Sequence, residues 1–161
     1  MSKLLTDSIL ENIDQAKDLY YQLVLVVGPA GSGKTKALQD VHVRTSAPLI
    51  NVNLELSRLL LDLTEQQRAL QVSRILTEIV TAAVGDVVLL DNMELLFDTS
   101  LKQDPLRLLQ GLSRHKTIVA AWNGTIENGH LIYATPEHPE YRRYPVQDFL
   151  TVMTEANTEQ V

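Results

Sequence analysis

Apolar residues along this chain come in two kinds of run. LVLVV at 23–27 and VVLL at 87–90 are short and continuous, and they stop at Gly28 and Asp91. Such runs predict strands buried on both faces, as in a parallel sheet covered by helices. Elsewhere the spacing changes. Ile9, Ile13, Ala16 and Tyr20 fall on one helical stripe and predict a helix over 6–20. Ala69, Val72, Leu76, Ile79 and Ala83 form a second stripe, opened by Thr64 with Gln67 as a capping box and closed at Gly85.

The same reading places a strand at 22–27, a helix at 33–42 and a strand at 48–54 entered through Pro48. Strand 86–90, one or two short helices through 92–112, strand 116–121 and a short strand near 131–134 follow, with a last helix over 146–155. Strands alternating with helices predict an α/β fold: a three-layer core around a mainly parallel five-stranded sheet. No linker or repeat divides the chain. The expectation is one domain over 1–161, with an N-terminal helix (1–20), a core (21–135) and a C-terminal segment (136–161).

Composition narrows the function classes. The chain has 161 residues, enough for one sizeable core, and its 45% apolar and 21% charged residues are ordinary for a globular protein. With no cysteine, disulfides and thiolate metal sites are excluded. No apolar run approaches the ~18 residues of a membrane span. Acids interrupt the N-terminal apolar residues, which excludes a secretory signal and leads us to expect a cytoplasmic protein. The net charge of −6, with Arg142–Arg143 the longest basic run, argues against a basic face that binds duplex nucleic acid unaided. A local arginine patch, and so direct DNA contact, stays open. His42, His115, His130 and His138 show no metal-ligand spacing.

Chemistry enters at 28–35. Gly28, Pro29, Ala30, Gly31, Ser32, Gly33, Lys34 and Thr35 satisfy G-x-x-x-x-G-K-[ST] between an apolar strand and a helix. The glycines let successive backbone N–H groups turn toward phosphate oxygens, and the helix N-terminus adds to that field. Lys34 can reach the β- and γ-phosphates, and Thr35 offers a hydroxyl to Mg²⁺. The implied cofactors are ATP and Mg²⁺. The bland alternative is a glycine-rich turn with an incidental Lys-Thr.

Asp91 ends its strand roughly 55–60 residues later, where a carboxylate can orient a magnesium-bound water. Asn123 ends the strand TIVAAWN, so its carboxamide points out at the same sheet edge and can sense a γ-phosphate; Asn123-Gly124 also reads as a turn. Asn92 follows Asp91 and cannot accept a proton from water. Glu94 is one candidate base and Glu55 another, while Glu94 reads equally well as a helix-start carboxylate.

These motifs together resemble the additional-strand class of P-loop NTPases, which includes the AAA+ ATPases. That resemblance implies that the Asn123 strand lies between the phosphate-loop strand and the Asp91 strand, with Asn123 as a sensor. More narrowly, GPAGSGKT, LLDNMELLF and AAWNG resemble the BrxF-type P-loop protein of BREX phage-defence systems, over about residues 22–135. The resemblance implies an ATPase-like subunit acting with other defence-system proteins. It departs from a full AAA+ module in one respect: about 25 residues follow the last expected strand, so no C-terminal helical lid domain is expected. A neighbouring subunit, in a nucleotide-dependent homo-oligomer, or another protein would then enclose ATP.

Arg142 and Arg143 follow a strand, which places them toward the nucleotide edge. One hypothesis makes either an arginine finger for a neighbouring site; the plainer one makes them a solvated pair facing Glu137 or Glu140. Normal ATP turnover by an Arg142→Ala, Arg143→Ala double variant excludes the finger. Three functions compete: an ATPase subunit, a nucleotide-gated binding module with little turnover, and a small-molecule kinase. For a kinase, the 92–112 region offers only Arg107 as a lid arginine.

Overall fold

The computed structural model describes residues 4–154. Helix α1 (Leu5–Ala16) leads into β1 (Leu23–Gly28), α2 (Lys34–Thr45) and β2 (Leu49–Asn51). A helical pair, α3 (Val52–Leu60) and α4 (Glu65–Ala82), precedes β3 (Val87–Asp91). Two single 3-10 turns, Glu94–Phe97 and Thr99–Leu101, then lead to α5 (Pro105–Leu112) and β4 (Thr117–Asn123). The short strands β5 (Thr125–Glu127), β6 (His130–Tyr133) and β7 (Arg142–Pro145) follow, and β8 (Leu150–Met153) comes last.

The main sheet runs β2-β3-β4-β1-β8, with every neighbouring pair parallel. Strand β4 therefore lies between β1 and β3. Alternation within the apolar runs divides the core in two. Leu23, Leu25 and Val27 point toward a cluster with Leu56, Val72, Leu76 and Leu109, beneath α3, α4 and α5. Val24 and Val26 point the other way, onto Ile9, Ile13, Leu38 and Val41 of α1 and α2. Burial on both faces is what the unbroken apolar runs encode.

Local signals explain several boundaries. Thr64 and Gln67 form the expected capping box: the Thr64 hydroxyl accepts from the Gln67 backbone N–H, and the Gln67 side chain accepts from the Thr64 N–H. Helix α1 stops at Ala16, short of the expected end at 20. Gln22 must already donate its N–H to Ser113 O as the chain enters β1, so Tyr20 lies outside the helix and is exposed.

Three expectations are corrected. The stretch 48–54 is a strand only at Leu49–Asn51; Asn51 then caps α3, its side chain accepting from Leu54 N–H at 3.1 Å. Val52, Leu56 and Leu60 recur every fourth residue and bury the helical face that this reading missed. Second, strand β6 does not join the main sheet but forms a three-stranded antiparallel sheet with β5 and β7. Third, the expected helix over 146–155 is β8, which hydrogen-bonds to β1 at the sheet edge; its expected last residue, 155, lies outside the described residues. Phe149 is buried, Thr151 and Val152 favour extended backbone, and Thr154 N–H continues the ladder onto Val27 O at 3.0 Å.

Among the described residues, no helix is long and apolar enough to cross a membrane.

Candidate functional site

Parallel strands deliver their last residues to one edge, and the candidate groups gather there. A cleft of about 220 Å³ is lined by the loop residues Ala30, Gly31, Gly33 and Thr35, with Lys34 beside them and Asp91, Glu94 and Asn123 opposite. Gly31 and Gly33 take positive φ, +78° and +99°, a conformation open to glycine at no steric cost. Gly33 occupies the N-cap of α2, so Lys34 and Thr35 begin that helix beside the loop. Gly28 leaves little space: a Cβ there would sit 2.5 Å from Thr154 Oγ1 and 2.6 Å from Ser32 Oγ, so those side chains would have to move.

Lys34 is buried, and its Nζ donates to Gly28 O and Pro29 O, both at 2.7 Å. Burial lowers its pKa from the usual lysine value, while the charges of Asp91 and Glu94 oppose that shift. Thr35 Oγ1 donates to Asp91 Oδ2 at 2.7 Å, and Asp91 Oδ1 accepts from the Asn92 N–H at 2.9 Å. Asn92 takes a left-handed conformation, φ 51°, that turns the chain sharply after the strand. One carboxylate and one hydroxyl thus stand together as hard oxygen donors. Such a set suits Mg²⁺, which is commonly held by few protein oxygens, with phosphate and water completing its shell.

Glu94 is the centre of a second network. Asn123 Nδ2 donates to its Oε1, and Asn53 Nδ2 donates to its Oε2 at 2.9 Å. Asn53 is fixed in turn: its Oδ1 accepts from Leu95 N–H at 2.8 Å, and its own backbone N–H donates to Asn92 O at 2.7 Å. The Glu94 carboxylate is therefore clamped by two carboxamides from different elements. Sequence reasoning missed Asn53. The available signal was its place just beyond the end of β2, which pairs Asn51 with Asp91 in register.

Glu55, the other candidate base, faces elsewhere. It pairs with Arg58 at 3.0 Å on α3 and does not line the cleft. Arg142 and Arg143 lie on β7 and do not line the cleft of their own chain either. Arg142 Nη2 donates to Gln103 O at 3.0 Å, and neither arginine forms an ion pair with Glu137 or Glu140 among the described residues.

Residues next to the site join it to the small sheet. Trp122, adjacent to Asn123, is fully buried and donates its indole N–H to Ile132 O at 3.2 Å. Phe97, at the end of the turn that carries Glu94, stacks on Tyr133 with centroids 3.6 Å apart and meets Trp122 edge-on at 5.1 Å. Burial, then the charges of Glu140 and Glu94, push the Tyr133 phenol up to about 12. Gly124 lets these elements meet, since a Cβ there would fall 1.9 Å from Ile132 O.

Compared with protein-family models and with curated proteins, the chain matches none.

Proposed function

We propose that this chain is a magnesium-dependent ATP-binding subunit of the P-loop type that hydrolyses ATP, with Glu94 as the base. The observation that carries this reading is the convergence of Lys34, Thr35, Asp91, Glu94 and Asn123 on one cleft at the carboxyl edge of a parallel sheet. In it, the loop N–H groups and Lys34 bind the phosphates, with the Lys34 ammonium exchanging loop carbonyls for phosphate oxygens. Thr35 and Asp91 would hold Mg²⁺, which when bound would offset phosphate charge. Asn123 hydrogen-bonds the γ-phosphate or the attacking water; Glu94 takes a proton from that water as its oxygen bonds to the γ-phosphorus and the bond to the departing ADP oxygen breaks.

The likeness of the motifs to BrxF-type proteins supports a place in a phage-defence assembly with other proteins of that system. The AAA+-like features support a nucleotide site shared between subunits.

One observation favours a second reading, a nucleotide-gated binding module. Each oxygen of the Glu94 carboxylate already accepts an amide hydrogen bond, one from Asn53 and one from Asn123, and these bonds compete with a water for the same oxygens. Hydrolysis through Glu94 is favoured where nucleotide binding loosens one of these bonds and frees that oxygen for water.

Phosphate release and ATP binding, measured with native mass, separate the readings. Lys34→Ala is expected to weaken ATP binding by ~30-fold or more, the effect of losing a charged partner. Glu94→Gln is expected to retain ATP affinity and lower release by ~10²–10⁴-fold. Wild-type binding without release supports the module; wild type that binds no ATP rejects both.

A further inference from the structure

A second cleft lies against the small sheet and shares no lining residue with the candidate nucleotide site. It measures about 690 Å³ and runs between β7 and the Lys102–Asp104 turn. Lys102, Arg142 and Arg143 line it, together with Tyr141 and Tyr144. Its one acid, Asp104, is already engaged: it accepts from Tyr144 Oη at 2.9 Å and caps α5 through Arg107 N–H. On a chain of net charge −6, this grouping is a local reversal of sign.

Three details give the reversal a chemical direction. Lys102 and Arg143 are exposed, so their charges are available to a ligand without unfolding anything. The Arg142 guanidinium donates to Gln103 O, and its buried Nε–H has no hydrogen-bond partner among the described residues. An unsatisfied donor on a charged group is costly, so a small rotation toward an oxyanion relieves it. The Tyr144 phenol is held well above the ordinary tyrosine range by burial and its Asp104 bond, and so remains a neutral donor.

From this grouping we infer that the β7 cleft binds the phosphodiester backbone of a single-stranded nucleic acid. Cations flanked by tyrosines in the order Tyr-Arg-Arg-Tyr supply both elements such a strand uses, phosphate neutralisation and aromatic surface. The site is a cleft with two cations on one short strand and the third, Lys102, on the neighbouring turn, which suits a flexible backbone segment better than the broad face of a duplex. Tyr144 also meets Trp122 edge-on at 6.0 Å, so the cleft shares an aromatic cluster with the residue next to Asn123. The inference does not depend on the nucleotide reading, because none of the cleft's cations lines the phosphate-loop cleft.

The test is fluorescence anisotropy of a labelled oligothymidylate with the full chain across a salt series. Three phosphate contacts predict a slope of log affinity against log salt near −2, or about a 20-fold loss between 50 and 200 mM salt. Lys102→Gln and Arg143→Ala, both at exposed positions, should each weaken binding and reduce the slope by about 0.7. Lys34→Ala should bind as the wild type does. Arg142→Lys, which keeps the charge, should lose less than Arg142→Ala, and circular dichroism checks that both fold. The inference is overturned if the wild type binds no oligothymidylate at low salt, or if Lys102→Gln and Arg143→Ala leave affinity and slope unchanged. Loss of binding in Lys34→Ala would assign the strand to the phosphate loop instead. Competition by polyglutamate as effective as unlabelled oligothymidylate, or by inorganic phosphate at equal phosphate concentration, would show general anion capture and overturn it too.

Discussion

The two sheets of this molecule hold their chemistry in place by different means. In the parallel sheet, backbone register does the work: β3 and β4 are fixed by ladders to their neighbours, and their last residues arrive at one edge. The polar groups there are bonded to one another, Thr35 to Asp91 and Glu94 to both Asn53 and Asn123. The antiparallel sheet is tied to the rest by buried Leu131, by a few hydrogen bonds and by packed rings, Phe97, Trp122, Tyr133 and Tyr144. A ladder-held edge can lose a polar side chain and keep its shape. A sheet held by packed rings loses its seat when a ring is removed.

That contrast can be broken most sharply at Trp122. Trp122→Ala is expected to lower stability by about 3–5 kcal/mol, because it leaves a large cavity and removes the bond to Ile132 O. Urea unfolding measures the loss, and hydrogen exchange should place the early opening in β5–β7. A loss under 1 kcal/mol would mean that the rings do not anchor the sheet.

Tyr133 sharpens the same side of the comparison through pH. Its phenol is raised from 10 to about 12 in the folded chain, so the folded state keeps its proton while the unfolded state releases it. Stability contributed by the neutral phenol is complete below pH 10 and is lost as pH rises toward 12. The loss from this group is up to about 2 kcal/mol after allowing for solvent screening. Tyr133→Phe should flatten that part of the profile in urea titrations; an unchanged slope would contradict the assignment.

The smallest effect belongs to the ladder-held edge. Asn53→Ala removes one carboxamide from Glu94 and the acceptor of Leu95 N–H, and is expected to cost about 1–2 kcal/mol of stability. Its effect should appear instead as altered phosphate release, in single-turnover assays, with ATP affinity retained. A variant that unfolds more readily than Trp122→Ala would reverse the comparison.

The carboxyl edge was legible in the sequence because its chemistry and its strands share one grammar. A short apolar run ending in Gly28, Asp91 or Asn123 states both where the strand stops and what it presents. The small sheet had no such wording. Its hairpin did carry a signal, Asn128-Gly129, which takes φ 51° and 75° between β5 and β6, a pairing suited to a two-residue turn. Strand β8 was hidden for another reason: Val146, Phe149, Leu150 and Met153 sit at helical spacing, and pairing with the open flank of β1 draws Leu150–Met153 into a strand. Asn53 offered only its place just beyond β2, because its partner Glu94 is 41 residues away and no local pattern joins them.

Trp122 is the chain's one tryptophan, and its position gives the molecule a built-in optical gauge. The indole sits in an apolar pocket one residue from the tip of β4, with three aromatic rings against it. Light absorbed by that indole is therefore emitted from the seam between the two sheets and from nowhere else. Any displacement of Asn123 or of the β5–β7 unit changes the polarity and quenching around a single fluorophore, so the seam reports its own state without a label.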